Sequence, residues 1–191
     1  MAHRSPRGMY FEDFEVGWQL DSATRPLTGE VLREFADLTG DRNPLHSAET
    51  SGDGGFGRPI AHGVLGMALA IGLIEETGVH EGTTIAMVGL TDWRFRHPVF
   101  VGDVLSAHMT VVAKRVSTTD PARGVLTRRL ELRNHARVVV QDGTTVLLVR
   151  RRPSSGRWPW TRGRPLTADL GPTDAEQPAG QHARPQRPEV P

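Results

Sequence analysis

The 191-residue chain contains no cysteine. That excludes disulfides, thiolate zinc sites and a cysteine nucleophile, and it fits a cytoplasmic protein. Lysine is almost absent: Lys114 stands alone among 23 basic residues, a compositional bias rather than a phosphate-binding design. The 22 acidic residues leave a net charge of +1, so there is no electrostatic case for nucleic-acid binding. No apolar run approaches the roughly 20 residues that cross a bilayer, and no membrane association is expected. The basic start, Met1 to Gly8, is not followed by an apolar h-region, so no secretory signal is expected either. What is present is a 37% hydrophobic, 24% charged composition, ordinary for a globular domain with a core of its own.

Composition divides the chain in two. From Pro153 to Pro191 there are eight prolines in 39 residues, with no hydrophobic periodicity. Such a segment buries too little apolar surface to offset its ordering entropy, so residues 153–191 are expected to be mostly disordered, with Trp158 and Trp160 able to dock locally. Residues 1–152 form the domain. Trp18 to Thr24 suits a short strand. Thr28 suits an N-cap for a helix through Thr39, with Val31, Leu32, Phe35, Ala36 and Leu38 as its apolar stripe and Gly40 as a left-handed cap. After a glycine-rich loop, Gly52 to Gly57, a helix from about Val64 to Glu76 is apolar around nearly its whole circumference. A helix of that kind is buried, wrapped by something.

Strands follow. Ile85–Leu90 is a hydrophobic run, Trp93 and Phe95 alternate with polar residues, and Val104–Val116 is a long strand. Val125–Arg133 places Leu126, Leu130 and Leu132 on one face and Arg129, Glu131 and Arg133 on the other. Val138–Arg150 is expected to be broken at Asp142-Gly143 by a bulge or tight turn. One buried helix and one curved antiparallel sheet make an α+β arrangement in which the sheet wraps the helix.

Two loops carry candidate chemistry. The first, Thr39-Gly40-Asp41-Arg42-Asn43-Pro44-Leu45-His46, delivers a carboxylate, an amide and an imidazole within six positions. Asp41 and His46 can share one water, as addition of water beside a carbonyl requires, and the Asn43 amide can bond the loop backbone or hold a carboxylate. The same residues read equally well as a polar turn. The second, Arg58-Pro59-Ile60-Ala61-His62-Gly63, opens the buried helix. Its first N–H groups suit a developing oxyanion, and Gly63 has no side chain to block one. The bland reading is a packing glycine beside a satisfied loop histidine. His62 as a metal ligand is disfavoured because no partner sits at ligand spacing. His80, His97, His108 and His135 read as surface or strand-edge residues. Arg150-Arg151-Arg152 reads as the charged end of a strand.

The two motifs together resemble the MaoC-like dehydratases, the (R)-specific enoyl-CoA hydratase family. Tyr10 to Gly17 is similar to the family's opening, and Phe95 to Asp103 to its strand connection, so the resemblance covers roughly residues 9–151. It implies a hot-dog fold, usually a homodimer, working on an acyl-CoA thioester with no metal or other cofactor. It implies that Asp41 and His46 activate water, that Asn43 supports the site, and that the Gly63 N–H holds the thioester oxygen. The product implied is the (R)-3-hydroxyacyl thioester. Arg58, His62 and Val64 are the candidates for touching substrate, Arg58 through a CoA phosphate or else in a structural salt bridge. Some (R)-specific hydratases carry a serine in the buried helix where this chain has small or aliphatic residues, so their acyl specificity is not carried over.

Three other readings stay open. A (3R)-hydroxyacyl carrier-protein dehydratase would be favoured by a basic docking face built from Arg94, Arg96, Arg128 and Arg129. A thioesterase would typically place its carboxylate differently. A non-catalytic acyl-CoA-binding subunit would have Asp41 and His46 too far apart to share a water.

Overall fold

A computed structural model describes residues 7–47 and 56–153. Gly52 to Gly55, Trp158, Trp160 and nearly all of the proline-rich segment lie outside the described residues. A 3-10 turn, Phe11–Asp13, precedes strands β1 (Gln19–Asp21) and β2 (Arg25–Pro26). Helix α1 (Gly29–Thr39) and a second 3-10 turn (Pro44–His46) follow, then helix α2 (Gly63–Glu76). Four long strands complete the domain: β3 (Thr84–Phe95), β4 (Val104–Val116), β5 (Arg123–Arg133) and β6 (Val139–Arg150).

The sheet is antiparallel throughout, in the order β1-β4-β5-β6-β3, with β2 pairing β4. It closes over α2, which packs on β4 and β5. Leu65, Gly66, Ala70, Leu73 and Ile74 face that contact. Each buried Leu or Ile there is worth about 1.5–3 kcal/mol of removed apolar surface. The opposite face of α2 is less covered. Val64 is 54% exposed, Ala68 is exposed, and Met67, Ile71 and Gly72 are half-buried.

Local chemistry starts and stops α1 as its residues demand. Thr28 Oγ1 accepts from the Val31 N–H at 3.3 Å, and Gly40 closes the helix at φ 78°, a conformation an L side chain resists. Leu32 is buried, but Leu38 is 83% exposed, so the expected stripe leaves the core in the last turn, where the helix runs toward the Asp41 loop.

Four expectations are corrected. Of the expected Trp18–Thr24 strand only Gln19–Asp21 forms, as β1, and β2 begins after it at Arg25. Strand β6 runs unbroken through Asp142-Gly143, in register with Glu131 and Leu130 of β5, and the irregularity lies opposite, in β3 between Thr91 and Arg94. There Asp92 takes a φ of 52°, which Asp tolerates better than most residues. His80 is not at the surface: it is 3% exposed, stacked on Phe14 at 5.5 Å, with Nδ1 3.2 Å from a Glu75 carboxylate oxygen. Arg128 does not belong to a docking face. It shares the inner face of β5 with Leu126 and Leu130, is 1% exposed, and donates to Glu75 and Thr145, each at 2.9 Å. Burial pushes the His80 imidazole and the Arg128 guanidinium below their ordinary pKa values. Burial works to raise the Glu75 carboxyl, but its bonds and charges from His80 and Arg128 outweigh that and hold it low.

The C-terminal end of β6 is clamped to the start of the domain. Arg151 bonds Glu12 at 2.9 Å and Arg152 bonds both oxygens of Asp13 at 2.7 Å, so these arginines are indeed the charged end of a strand.

Candidate active site

Asp41, Asn43 and His46 are held by a run of short-range bonds after α1. Thr39 Oγ1 donates to the Phe35 carbonyl at 2.7 Å and accepts from the Asp41 N–H at 3.3 Å. The Asn43 N–H donates to the Asp41 carboxylate at 3.3 Å, while Asn43 Oδ1 accepts from the Leu45 N–H at 3.2 Å. The Asn43 backbone therefore orients the carboxylate and its side chain starts the turn that carries His46. Proline at the first position of that turn has its φ preset for it.

The chain then returns. Ile60 donates its N–H to the Leu45 carbonyl at 3.1 Å and bridges Phe100, and Ala61 donates to Val99 at 2.7 Å. This places His62 directly against the first loop. Its Nε2 lies 2.9 Å from the Asp41 carbonyl oxygen, and its ring stacks on His46 with centroids 3.7 Å apart and planes at 26°. Phe35 covers the other side, 5.0 Å away. His62 is 2% exposed, and its Nδ1 has no hydrogen-bond partner among the described residues.

A carbonyl oxygen only accepts, so these contacts set the tautomers. His46 Nδ1, 2.8 Å from the Ile60 carbonyl, carries the hydrogen, and in the neutral ring Nε2 is left with its lone pair. His62 Nε2 carries its hydrogen by the same argument. Ligand-capable atoms of Asp41, His46 and His62 lie within 4.8 Å of one another. A water making two bonds of about 2.7–2.8 Å bridges such a span. The ground for setting His62 aside as a metal ligand, lack of a nearby partner, thus does not hold in three dimensions. The stacked rings nevertheless direct their in-plane lone pairs along near-parallel planes rather than toward one point. The cluster suits a shared water better than an ion.

Gly63 is the first residue of α2, so its N–H has no acceptor within the helix. A Cβ there would come within 2.8 Å of the Phe95 ring. Two clefts meet at His46. One, about 640 Å³, runs along α1 and takes in Arg33, Asp37, Asp41, Arg42 and Asn43. The other, about 300 Å³, includes Phe56, Ala61, Gly63, Phe95 and Gln141. An acid, a base and the first N–H of a helix, placed around His46 where the two clefts meet, can add water to, or remove it from, a carbonyl-conjugated double bond.

The remaining candidates fall outside this group. Val64 lines neither cleft. Arg58 makes no ion pair among the described residues, and its guanidinium lies over the Phe100 ring at 3.8 Å. Phe35 and Thr39 of the first motif and the Ile60 carbonyl support the site, though no role in it was expected of them. A backbone carbonyl leaves no mark on residue identity, and Thr39 already looked accounted for as a helix end.

These observations agree with the comparisons to known proteins. The "MaoC like domain" family profile matches residues 13–130, more than half of the chain. The chain belongs to the MaoC-like family. An (R)-specific enoyl-CoA hydratase from Aeromonas caviae is 33% identical over 144 residues, covering 73% of this chain and 99% of that protein. A 3-hydroxybutyryl-CoA dehydratase from Methylorubrum extorquens is 32% identical over 55% of this chain and 65% of its own length. Protein MaoC of Klebsiella aerogenes is 32% identical, but the matched part spans 33% of that protein. Among solved structures, one titled as a monoamine oxidase regulatory protein of Archaeoglobus superposes with a TM-score of 0.72 at 32% identity, covering 79% of this chain and 100% of that one. A Mycobacterium tuberculosis protein described as a double hot-dog fold gives 0.68 at 22% identity, covering 91% of this chain and 53% of that one, and supports the fold alone. The MaoC-like domain here has the hot-dog fold, and its family comprises hydratases and dehydratases of acyl thioesters.

Proposed function

We propose that this MaoC-like domain is a hydro-lyase that adds or removes water across the 2,3 double bond of an enoyl-CoA thioester. The observation that carries the reading is the tautomer of His46, whose Nε2 is left with a lone pair, in a cluster where ligand-capable atoms of Asp41, His46 and His62 lie within 4.8 Å of one another. In the hydration direction the thioester oxygen lies at the Gly63 N–H, which takes up enolate charge as water adds to C3. Asp41 and His46 hold that water, remove its proton and return one to C2, so addition occurs on one face, and the (R)-3-hydroxyacyl-CoA is the product expected from the likeness to the (R)-specific hydratase. His62 is a positioning residue: its bond to the Asp41 carbonyl and its stacking on His46 set where both groups stand.

The carrier-protein alternative keeps part of its support. Arg128 is buried, but Arg94, Arg96 and Arg129 are exposed, the last two also bonded to the buried Asp142. Those bonds hold the Asp142 carboxyl below its ordinary pKa despite burial. A homodimer is part of the proposal, because the open face of α2 carries Val64, Met67, Ala68 and Ile71 and lies in a fold whose outer strand β3 exposes Met87 and Leu90. The absence of cysteine agrees with a cytoplasmic setting. Product analysis tests the reaction class: crotonyl-CoA should give (R)-3-hydroxybutyryl-CoA with no release of free thiol. Thiol release without hydration would make the chain a thioesterase, and no change in the acyl group would favour a binding subunit.

A further inference from the structure

The 300 Å³ cleft that holds His46 and Gly63 has in its wall a buried polar side chain the reaction does not use. Gln141 of β6 is 3% exposed. Its Oε1 accepts from the Trp93 indole N–H at 3.1 Å. Because indole only donates, this bond fixes the amide orientation: the oxygen faces Trp93 and the NH2 faces α2. There the amide occupies the place where a residue other than glycine at position 66 would put its Cβ, with Nε2 the nearest atom. On its far side, the Trp93 ring fills the Cβ position of Gly143. Trp93 reaches that position from the irregular stretch of β3 between Thr91 and Arg94. Two glycines thus make room for one Trp–Gln pair, and the pair fixes the amide at the cleft wall. Its NH2 has no protein acceptor among the described residues. An apolar residue of similar size would fill the space without stranding those donors, which costs about 1–3 kcal/mol when they stay unpaired.

Position along α2 says what the NH2 meets. Gly66 lies three residues beyond Gly63, about 4.5 Å along the helix at 1.5 Å per residue. A thioester whose oxygen sits at the Gly63 N–H brings its fourth or fifth carbon to that depth.

We propose, resting on the thioester reading above, that Gln141 held by Trp93 is the specificity-determining residue of the acyl cleft. It stops the cleft at short acyl groups and donates its NH2 to an oxygen at the far end, a hydroxyl, carbonyl or carboxylate on C4 or C5. Trp93 acts through Gln141 as a positioning residue.

Binding of three unreactive probes separates the parts of this proposal: butyryl-CoA, succinyl-CoA with its carboxylate at C4, and octanoyl-CoA. In calorimetric titrations of the full chain, succinyl-CoA should bind more tightly than butyryl-CoA, and octanoyl-CoA about tenfold or more weakly than either. Gln141→Ala should tighten octanoyl-CoA binding by about tenfold and erase the succinyl advantage. Gln141→Glu keeps the volume and reverses the sign: succinyl-CoA should become the weaker of the two short ligands while butyryl-CoA still binds. That variant keeps the test decisive if the alanine variant does not fold. Trp93→Phe, which keeps a ring over Gly143 but removes the donor, should reduce the succinyl advantage with little change for butyryl-CoA. An unchanged order of the three ligands in Gln141→Ala and Gln141→Glu would overturn the proposal. Wild-type protein that discriminates these tails but does not hydrate crotonyl-CoA would overturn the hydratase reading and leave this one standing. Hydration of crotonyl-CoA with no discrimination would do the reverse, and failure to bind any of the three would overturn both.

Discussion

In the proposed reaction centre, three bonds across a polar loop determine where single atoms point. The Asn43 N–H aims the Asp41 carboxylate, the Ile60 carbonyl fixes the His46 tautomer, and His62 anchors the Asp41 backbone. Asp41, His46 and the Gly63 position were singled out in sequence through the resemblance, since by themselves they read equally well as a polar turn and a packing glycine. The supporting carbonyl of Ile60 was not, and neither was Gln141, which in sequence is one polar residue in a strand. His62 was half legible: its place before the helix was visible, but its contact with residue 41 depends on a chain return across 21 positions. Gly63→Ala tests the oxyanion position. The added Cβ meets the Phe95 ring at 2.8 Å, and that side chain is 59% exposed and free to turn aside. The fold should survive, and kcat should fall about a hundredfold as the N–H is shielded. A variant with normal kcat would move the thioester oxygen elsewhere.

Elements matter here for what they bury. Strand alternation identified the core face of β5 through Leu126, Leu130 and Leu132, yet the residue between them on that face is Arg128. Charge alone suggested a surface position, and the partners that permit burial, Glu75 and Thr145, come from α2 and β6. Replacing a buried cation tests this. Arg128→Ala should lower unfolding free energy by about 3–5 kcal/mol by leaving Glu75 without its cation and opening a cavity, while Arg128→Met, which fills the cavity but also removes the cation, should recover only the volume part. Urea titration checks both, and equal losses would show that the charge, not the volume, matters. His80, in the same cluster, adds a pH dependence. Its pKa is depressed in the folded state, so the unfolded chain binds more protons once pH falls below about 6.5. Its contribution is fully present above that value and is lost as pH falls toward the folded pKa. Thermal melts from pH 7.5 downward should show this loss in wild type and a shallower one in His80→Gln, whereas parallel curves would assign the acid sensitivity to other groups.

At the scale of the whole molecule, one sheet wraps one helix and leaves part of that helix open. The circumferential apolarity of α2 predicts a cover on all sides. The sheet supplies one side, through Leu65, Ala70, Leu73 and Ile74, and the proposed dimer supplies the other. Strand order and the β3 irregularity were beyond sequence reading, since pairing depends on contacts between distant segments and nothing local marks position 92 as a bulge. Ala68→Glu places a charge on the open face of α2 without touching either cleft. Sedimentation should show a dimer in wild type and a shift to monomer in the variant. A wild-type monomer would mean that this face is covered by another part of the chain or by another partner.

The central claim is that Asp41 and His46 together move a proton to and from water at an enoyl thioester. The most direct measurement follows the loss of enoyl-thioester absorbance when the purified protein meets crotonyl-CoA, with Asp41→Asn and His46→Gln alongside. The account predicts hydration by the wild type and a loss of about 10²–10⁴-fold in each variant, with unchanged melting temperatures. Wild-type hydration that persists in Asp41→Asn would contradict it.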